Sequence, residues 1–136
     1  MTNLGEVLIT FGWSGIVVGI LMGGLMGMYA FKGPFRAPKG HENYTDLNRR
    51  MLRLAHIAFI MLPLISMLYG MSINDLQVPY IYKYYAAICM MVLSVGIPVL
   101  LIASCFYLPF KYAQVIPFSC GMFALVVMAA GRVSAL

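Results

Sequence analysis

The stretch RRMLRLAHIAFIMLP, residues 49–63, sets three arginines and a histidine at the mouth of an otherwise apolar run. Arg49, Arg53, His56, Ile60 and Pro63 follow helical spacing and share one face. An ionisable side chain carried into a membrane span marks a functional site by default. Arginine offers a planar fork of donors that suits a ring carbonyl or a phosphate. Neutral imidazole donates from one nitrogen, accepts at the other, and changes charge near neutral pH. His56 lies five residues past Met51, hence about 7 to 8 Å deeper along a helix. Ser104 and Cys105 end one apolar run, and Gln114 and Ser119 begin another, at similar expected depth. The expected site therefore groups Arg49, Arg53, His56, Ser104 and Gln114 under the headgroups. A quinone headgroup or a lipid is its expected ligand, with haem b as the other candidate. Haem iron commonly takes two axial ligands, and no second histidine occurs in an apolar run, so a methionine or the loop residue His41 would have to serve. The plainer expectation is a structural histidine satisfied by a carbonyl, a serine or a lipid phosphate.

Other chemistry is thinly represented. His41 and Glu42 in GHENY are too few ligands for a specific metal site, and no metal is expected. Cys89, Cys105 and Cys120 sit in apolar runs without the C-x-x-C spacing of a zinc site or disulfide framework. Buried free cysteine behaves as a small hydrophobe, and the twelve methionines read as flexible core filling. No Asp or Glu falls inside a span, so the usual relay of a proton-coupled carrier is missing. No nucleophile has an evident base, so no catalytic residue is assigned and enzymatic activity is not the expectation.

These residues need elements to hold them. The 136 residues are 62% hydrophobic and only 10% charged, against about a quarter charged in soluble domains. Four apolar stretches, at about 7–31, 51–70, 84–108 and 114–130, reach bilayer-spanning length. Lipid offers backbone groups no partner, so each must be a helix. The expected fold is all-α, a single four-helix integral membrane bundle. Pro63 and Pro98 should kink the second and third spans. Thr45 is the expected N-cap of the second helix, with an Asp46–Arg50 pair in its first turn.

The net charge of +5 reads as orientation and lipid contact rather than nucleic-acid binding. Lys32, Arg36, Lys39, Arg49, Arg50, Arg53 and Lys111 gather on one side, and only Lys83 and Arg132 on the other. That bias puts the first and third loops in the cytoplasm of a cell inner membrane, with both termini outside. Trp13, Tyr80, Tyr82, Tyr84 and Tyr85 form the expected outer aromatic belt. Tyr29, Phe31, Tyr107, Phe110 and Tyr112 form the inner one.

GIVVGILMGGLMG places Gly15, Gly19, Gly23 and Gly27 at steps of four. Small residues let membrane helices approach closely, and that contact is their main packing energy. The seam is expected to serve packing inside the bundle. The alternatives are contact with another chain, as self-association or with other membrane subunits, or a groove for a flat cofactor.

Over RMLRLAHIAFIMLP, and in having four helices, outer termini and a basic opening to helix two, the chain resembles the MAPEG proteins, the membrane glutathione and eicosanoid enzymes. The resemblance implies a small oligomeric membrane enzyme. That family carries an Asn and a Glu downstream of an Arg-Ala-His-like start. Here those places are Ala58 and Met61, which take away the side chains for glutathione chemistry. The leading expectation is a non-catalytic subunit or accessory protein of a larger membrane complex, respiratory or otherwise energy-transducing. A quinone-, lipid- or haem-binding redox protein is the alternative.

Overall fold

The computed structural model describes residues 3–29 and 33–134. Lys32 and Phe31, counted above in the basic loop and inner belt, lie outside them. The elements are α1 (Leu4–Met28), α2 (Leu47–Ile73), α3 (Tyr80–Phe106), the short α4 (Phe110–Ala113) and α5 (Val115–Val133). With α4 leading directly into α5, four helices are long and apolar enough to cross a membrane. The chain is thus an all-helical, multi-pass membrane bundle. Its broad apolar exterior fits a bilayer, with Ile20, Leu21, Leu68 and Val126 all more than half exposed.

Local chemistry explains the element ends. Asn3 caps α1, its side-chain oxygen accepting from the Gly5 N–H at 3.1 Å. The cap of α2 is Asp46, not the expected Thr45. The Asp46 carboxylate turns back to accept the Asn43 N–H at 2.8 Å, closing a turn in place of an ion pair with Arg50. Pro79 precedes α3, and its missing N–H and fixed φ suit a helix start. That starts the third span at Tyr80 and not at 84. Helices α2 and α3 continue through Pro63 and Pro98, both fully buried.

Neighbouring helices pack in the order α1 on α2, α2 on α3, and α3 on α5, with α1 also touching α3. The apolar core fills one half of the bundle. Leu8 of α1, Tyr69 and Ile73 of α2, Ala86 and Met90 of α3, and Ala124 and Val127 of α5 build it. Polar bonds close the same end. Asn74 donates to Asn3 at 2.7 Å, and Lys83 donates to the Asn74 carbonyl at 2.9 Å. Two buried bonds tie the middle: Ser66 to Ser94 at 2.7 Å, and the Tyr69 hydroxyl to the Ala124 carbonyl at 2.8 Å. The basic loops and His56 belong to the other half.

Candidate functional site

The glycine seam is turned inward. A Cβ on Gly15 would come 2.5 Å from the Pro63 ring, one on Gly19 would come 2.7 Å from Ile60, and one on Gly23 would come 2.6 Å from His56. Gly12 belongs to the seam as well, against Met67 and the Pro63 carbonyl, and Gly5 meets the Gly70 carbonyl. The stripe His56, Ile60, Pro63, Met67 and Gly70 of α2 therefore beds along α1 in antiparallel order. Gly27 departs from the expected seam, with no described atom within 4 Å of its Cβ position. The cause is helical drift: steps of four advance about 40° each at 3.6 residues per turn. Three steps carry Gly27 off the face that Gly15 occupies, while Gly12, three residues earlier, stays on it.

Proline chemistry adds to the seam. Pro63 has no N–H, so the Phe59 carbonyl, four residues back, lacks its helical donor. That oxygen sits 2.9 Å from the Gly19 Cβ position. Only glycine lets the α1 backbone come so near, with its Cα–H groups available as weak donors.

At the basic end Arg49 and Arg53 come together at the Tyr44 ring, with the Arg49 guanidinium 6.0 Å from its centroid. The Arg53 guanidinium lies over the Tyr44 ring, 3.7 Å from its centroid, a cation–π contact worth about 0.5–1 kcal/mol at an exposed site. Arg53 is thus engaged by the loop before α2, a partner the sequence reading missed. Arg49 reaches the carbonyls of His41 and Glu42, both at 3.4 Å. Ser104 spends its hydroxyl on the Leu100 carbonyl at 2.6 Å. The Cys105 thiol reaches the Asn48 and Leu101 carbonyls at 3.4 Å. Gln114 sits at the α4–α5 junction, and Ser119 is exposed. No hydrogen bond joins Ser104 or Gln114 to His56 among the described residues.

His56 itself is half-buried. Its ring is covered by Gly23, and its Nδ1 is buried without a hydrogen-bond partner. An orphaned buried acceptor or donor costs about 1–3 kcal/mol, and among the described residues this is the one buried side-chain nitrogen or oxygen without a hydrogen-bond partner. Among the described residues, no three of His, Cys, Asp and Glu are placed to hold a metal ion.

A second polar feature was not singled out by sequence reasoning. Glu6, Thr10 and Ser14 recur every four residues along α1 and are all exposed. They line, with Asn3, an open groove of about 490 Å³. At about 100° per residue this stripe lies opposite the face that Gly12, Gly15 and Gly19 turn to α2. Trp13, 59% exposed, flanks it. Trp13 stands nine residues into α1, about 13 Å along the helix. Ser14 returns its hydroxyl to the Thr10 carbonyl at 3.0 Å. The signal was available, as a polar i, i+4 repeat in the first span, but the glycines on the other face drew the reading.

Cys89 of α3 and Cys120 of α5 lie against each other across the helix contact, and all three cysteines are free. Comparison with the models of known families, with curated proteins and with solved structures finds no match to this chain.

Proposed function

We propose that the chain is a non-catalytic integral membrane subunit or accessory protein of a larger membrane complex, and that it docks through the outward face of α1. The observation that carries this reading is the exposed Glu6–Thr10–Ser14 stripe on the side of α1 turned away from α2. Glu6 lies in the first turn of α1 and Ser14 already bonds the Thr10 carbonyl, and hydrocarbon offers the polar groups they leave open no partner. A neighbouring helix gives them hydrogen bonds worth about 0.6 kcal/mol on average and up to 1–2 kcal/mol each. The inward glycine seam is already filled by α2, so docking falls to the opposite face. An exposed Trp13 beside the stripe adds the kind of aromatic anchor that dominates interface energies. A respiratory or other energy-transducing complex is the host class proposed, since the four spans, of 25, 27, 27 and 24 residues, hold 103 of the 136. The seven-to-two bias of basic residues supports an inner cell membrane with the loop end cytoplasmic and both termini outside.

Native mass spectrometry of particles cut directly from the source membrane tests this reading. Wild type should carry the mass of another polypeptide. Thr10→Leu/Ser14→Leu should lose it with unchanged helical circular dichroism. A bare monomer for wild type would overturn the proposal. A whole-number multiple of the chain mass would overturn the heteromeric reading and leave self-association through α1.

The orphaned Nδ1 of His56 favours a second reading, a lipid-soluble ligand such as a quinone, or haem b, beside this ring. Arg53 and Ser104 have other partners, so that ligand would depend on the imidazole. An absorption spectrum with a Soret band, or quinone in a solvent extract that His56→Ala lacks, would establish it. Neither signal in wild type would remove it.

A further inference from the structure

Residues 33–46 fold back on the start of α2 and border a partly open pocket of about 470 Å³, lined by Gly33, Phe35, Arg36, Glu42 and Arg49 among others. Sequence dictates the fold-back. The His41 N–H donates to the Pro38 carbonyl at 3.0 Å, and Gly40 sits at φ +81°. That is the third position of a tight turn, where a positive φ calls for glycine. At the other end the Phe35 N–H returns to the Met28 carbonyl at 3.1 Å. The Tyr29 and Phe35 rings meet at 5.5 Å between centroids. The pocket thus opens at the level of α1's last turn, where a span meets the headgroup layer and aromatic rings gather.

Its charges are mixed: two arginines, Arg36 and Arg49, and one acid, Glu42, are among the residues that line it. Arg49 is held at the pocket by the Glu42 and His41 carbonyls. Among the described residues, the Arg36 guanidinium and the Glu42 carboxylate have no bonding partner in the protein. Two guanidiniums alone would fit any anion. A carboxylate on the same rim repels a second negative charge and calls for a cation bound to the anion.

We propose that this pocket binds a phosphoethanolamine group, the phosphate on Arg36 and Arg49 and the primary ammonium on Glu42. Guanidinium meets phosphate through paired, charge-assisted hydrogen bonds. A primary ammonium has N–H donors for the Glu42 carboxylate, and the trimethylated ammonium of a choline headgroup has none. The volume lies within the range of small-ligand sites, about 300–1,000 Å³. The source is either a membrane phosphatidylethanolamine or a soluble phosphoethanolamine compound.

Purified full-length protein in detergent micelles is titrated with palmitoyl-oleoyl phosphatidylethanolamine, with the matching phosphatidylcholine and phosphatidylglycerol, and with free O-phosphoethanolamine. Adducts are read by native mass spectrometry. Wild type should prefer the ethanolamine lipid over the choline lipid by about tenfold, the size of one charge-assisted hydrogen bond. Glu42→Gln should narrow that preference, because an amide oxygen accepts a weaker bond than a carboxylate, and Arg36→Gln should weaken both alike. Neither side chain holds the fold, and circular dichroism checks that. Binding of the lipid without the free compound assigns the source to the bilayer, and tight binding of both assigns it to the headgroup alone. Equal wild-type binding of ethanolamine and choline lipids would overturn the proposal. So would a preference untouched by Glu42→Gln, or affinities untouched by Arg36→Gln. Phosphatidylglycerol as the preferred lipid would reduce the pocket to a simple anion site.

Discussion

Gly19→Ala adds one methyl group at a close backbone approach of the α1–α2 seam, beside the carbonyl that Pro63 leaves without a helical donor. The new Cβ would stand 2.7 Å from Ile60 Cγ1 and 2.9 Å from the Phe59 carbonyl oxygen. The Ile60 side chain can rotate away, but the carbonyl is fixed in the helix. Reaching an ordinary separation of about 3.5 Å requires the two backbones to part by roughly 0.6 Å, and a gap of that size forfeits a quarter to a half of each contact it opens. The expected cost is about 1–3 kcal/mol, the usual range for overpacking, or about 5- to 150-fold in the folding equilibrium. Alanine's better helix propensity works in the opposite direction. Gly24→Ala measures that effect alone, since no described atom lies within 4 Å of its Cβ position. Unfolding of both variants with sodium dodecyl sulfate from mild micelles, followed by circular dichroism, gives the difference. Gly19→Ala as stable as Gly24→Ala would refute the reasoning, because both differ from wild type by the same methyl.

Two further substitutions test the polar ties between helices. Tyr69→Phe removes the hydroxyl that binds the Ala124 carbonyl across α2 and α5. It should lower stability by about 0.6–1.5 kcal/mol in the same unfolding assay; an unchanged midpoint would mean the bond contributes nothing. For the Ser66–Ser94 pair, each single alanine variant leaves a buried hydroxyl without its partner. The double variant should therefore cost less than the two singles added together, by about 0.5 kcal/mol or more, and strict additivity would show that the hydroxyls do not interact.

The fold was largely legible because lipid leaves few choices. Runs of apolar residues near 20 long must be helices, and the four spans follow from length alone. What packs on what was less legible. Four evenly spaced glycines pointed to a seam, but Gly12 entered it and Gly27 left it, because four-residue steps drift around a 3.6-residue turn. The seam's partner, the Pro63 face of α2, could not be read from one sequence. The candidate site was the least legible. Shared depth and a shared helical face brought Arg53, His56, Ser104 and Gln114 together on paper. In the fold, Arg53 found Tyr44 nine residues earlier, and Ser104 found its own helix at Leu100. Periodicity reports which face a residue occupies. It does not report which loop returns to meet it, nor the local carbonyl that a serine in a helix takes first. The stripe of Glu6, Thr10 and Ser14 was readable by the same periodicity, on the face the glycines left free.

The central claim is that this outward face of α1 meets another membrane protein. Photo-cross-linking in the native membrane tests it most directly, with benzophenone side chains placed singly at Thr10, at Ser14, and at the exposed α5 position Val126. The account predicts discrete adducts with a second polypeptide from positions 10 and 14, and lipid adducts alone from position 126. Lipid adducts alone from all three positions would contradict it.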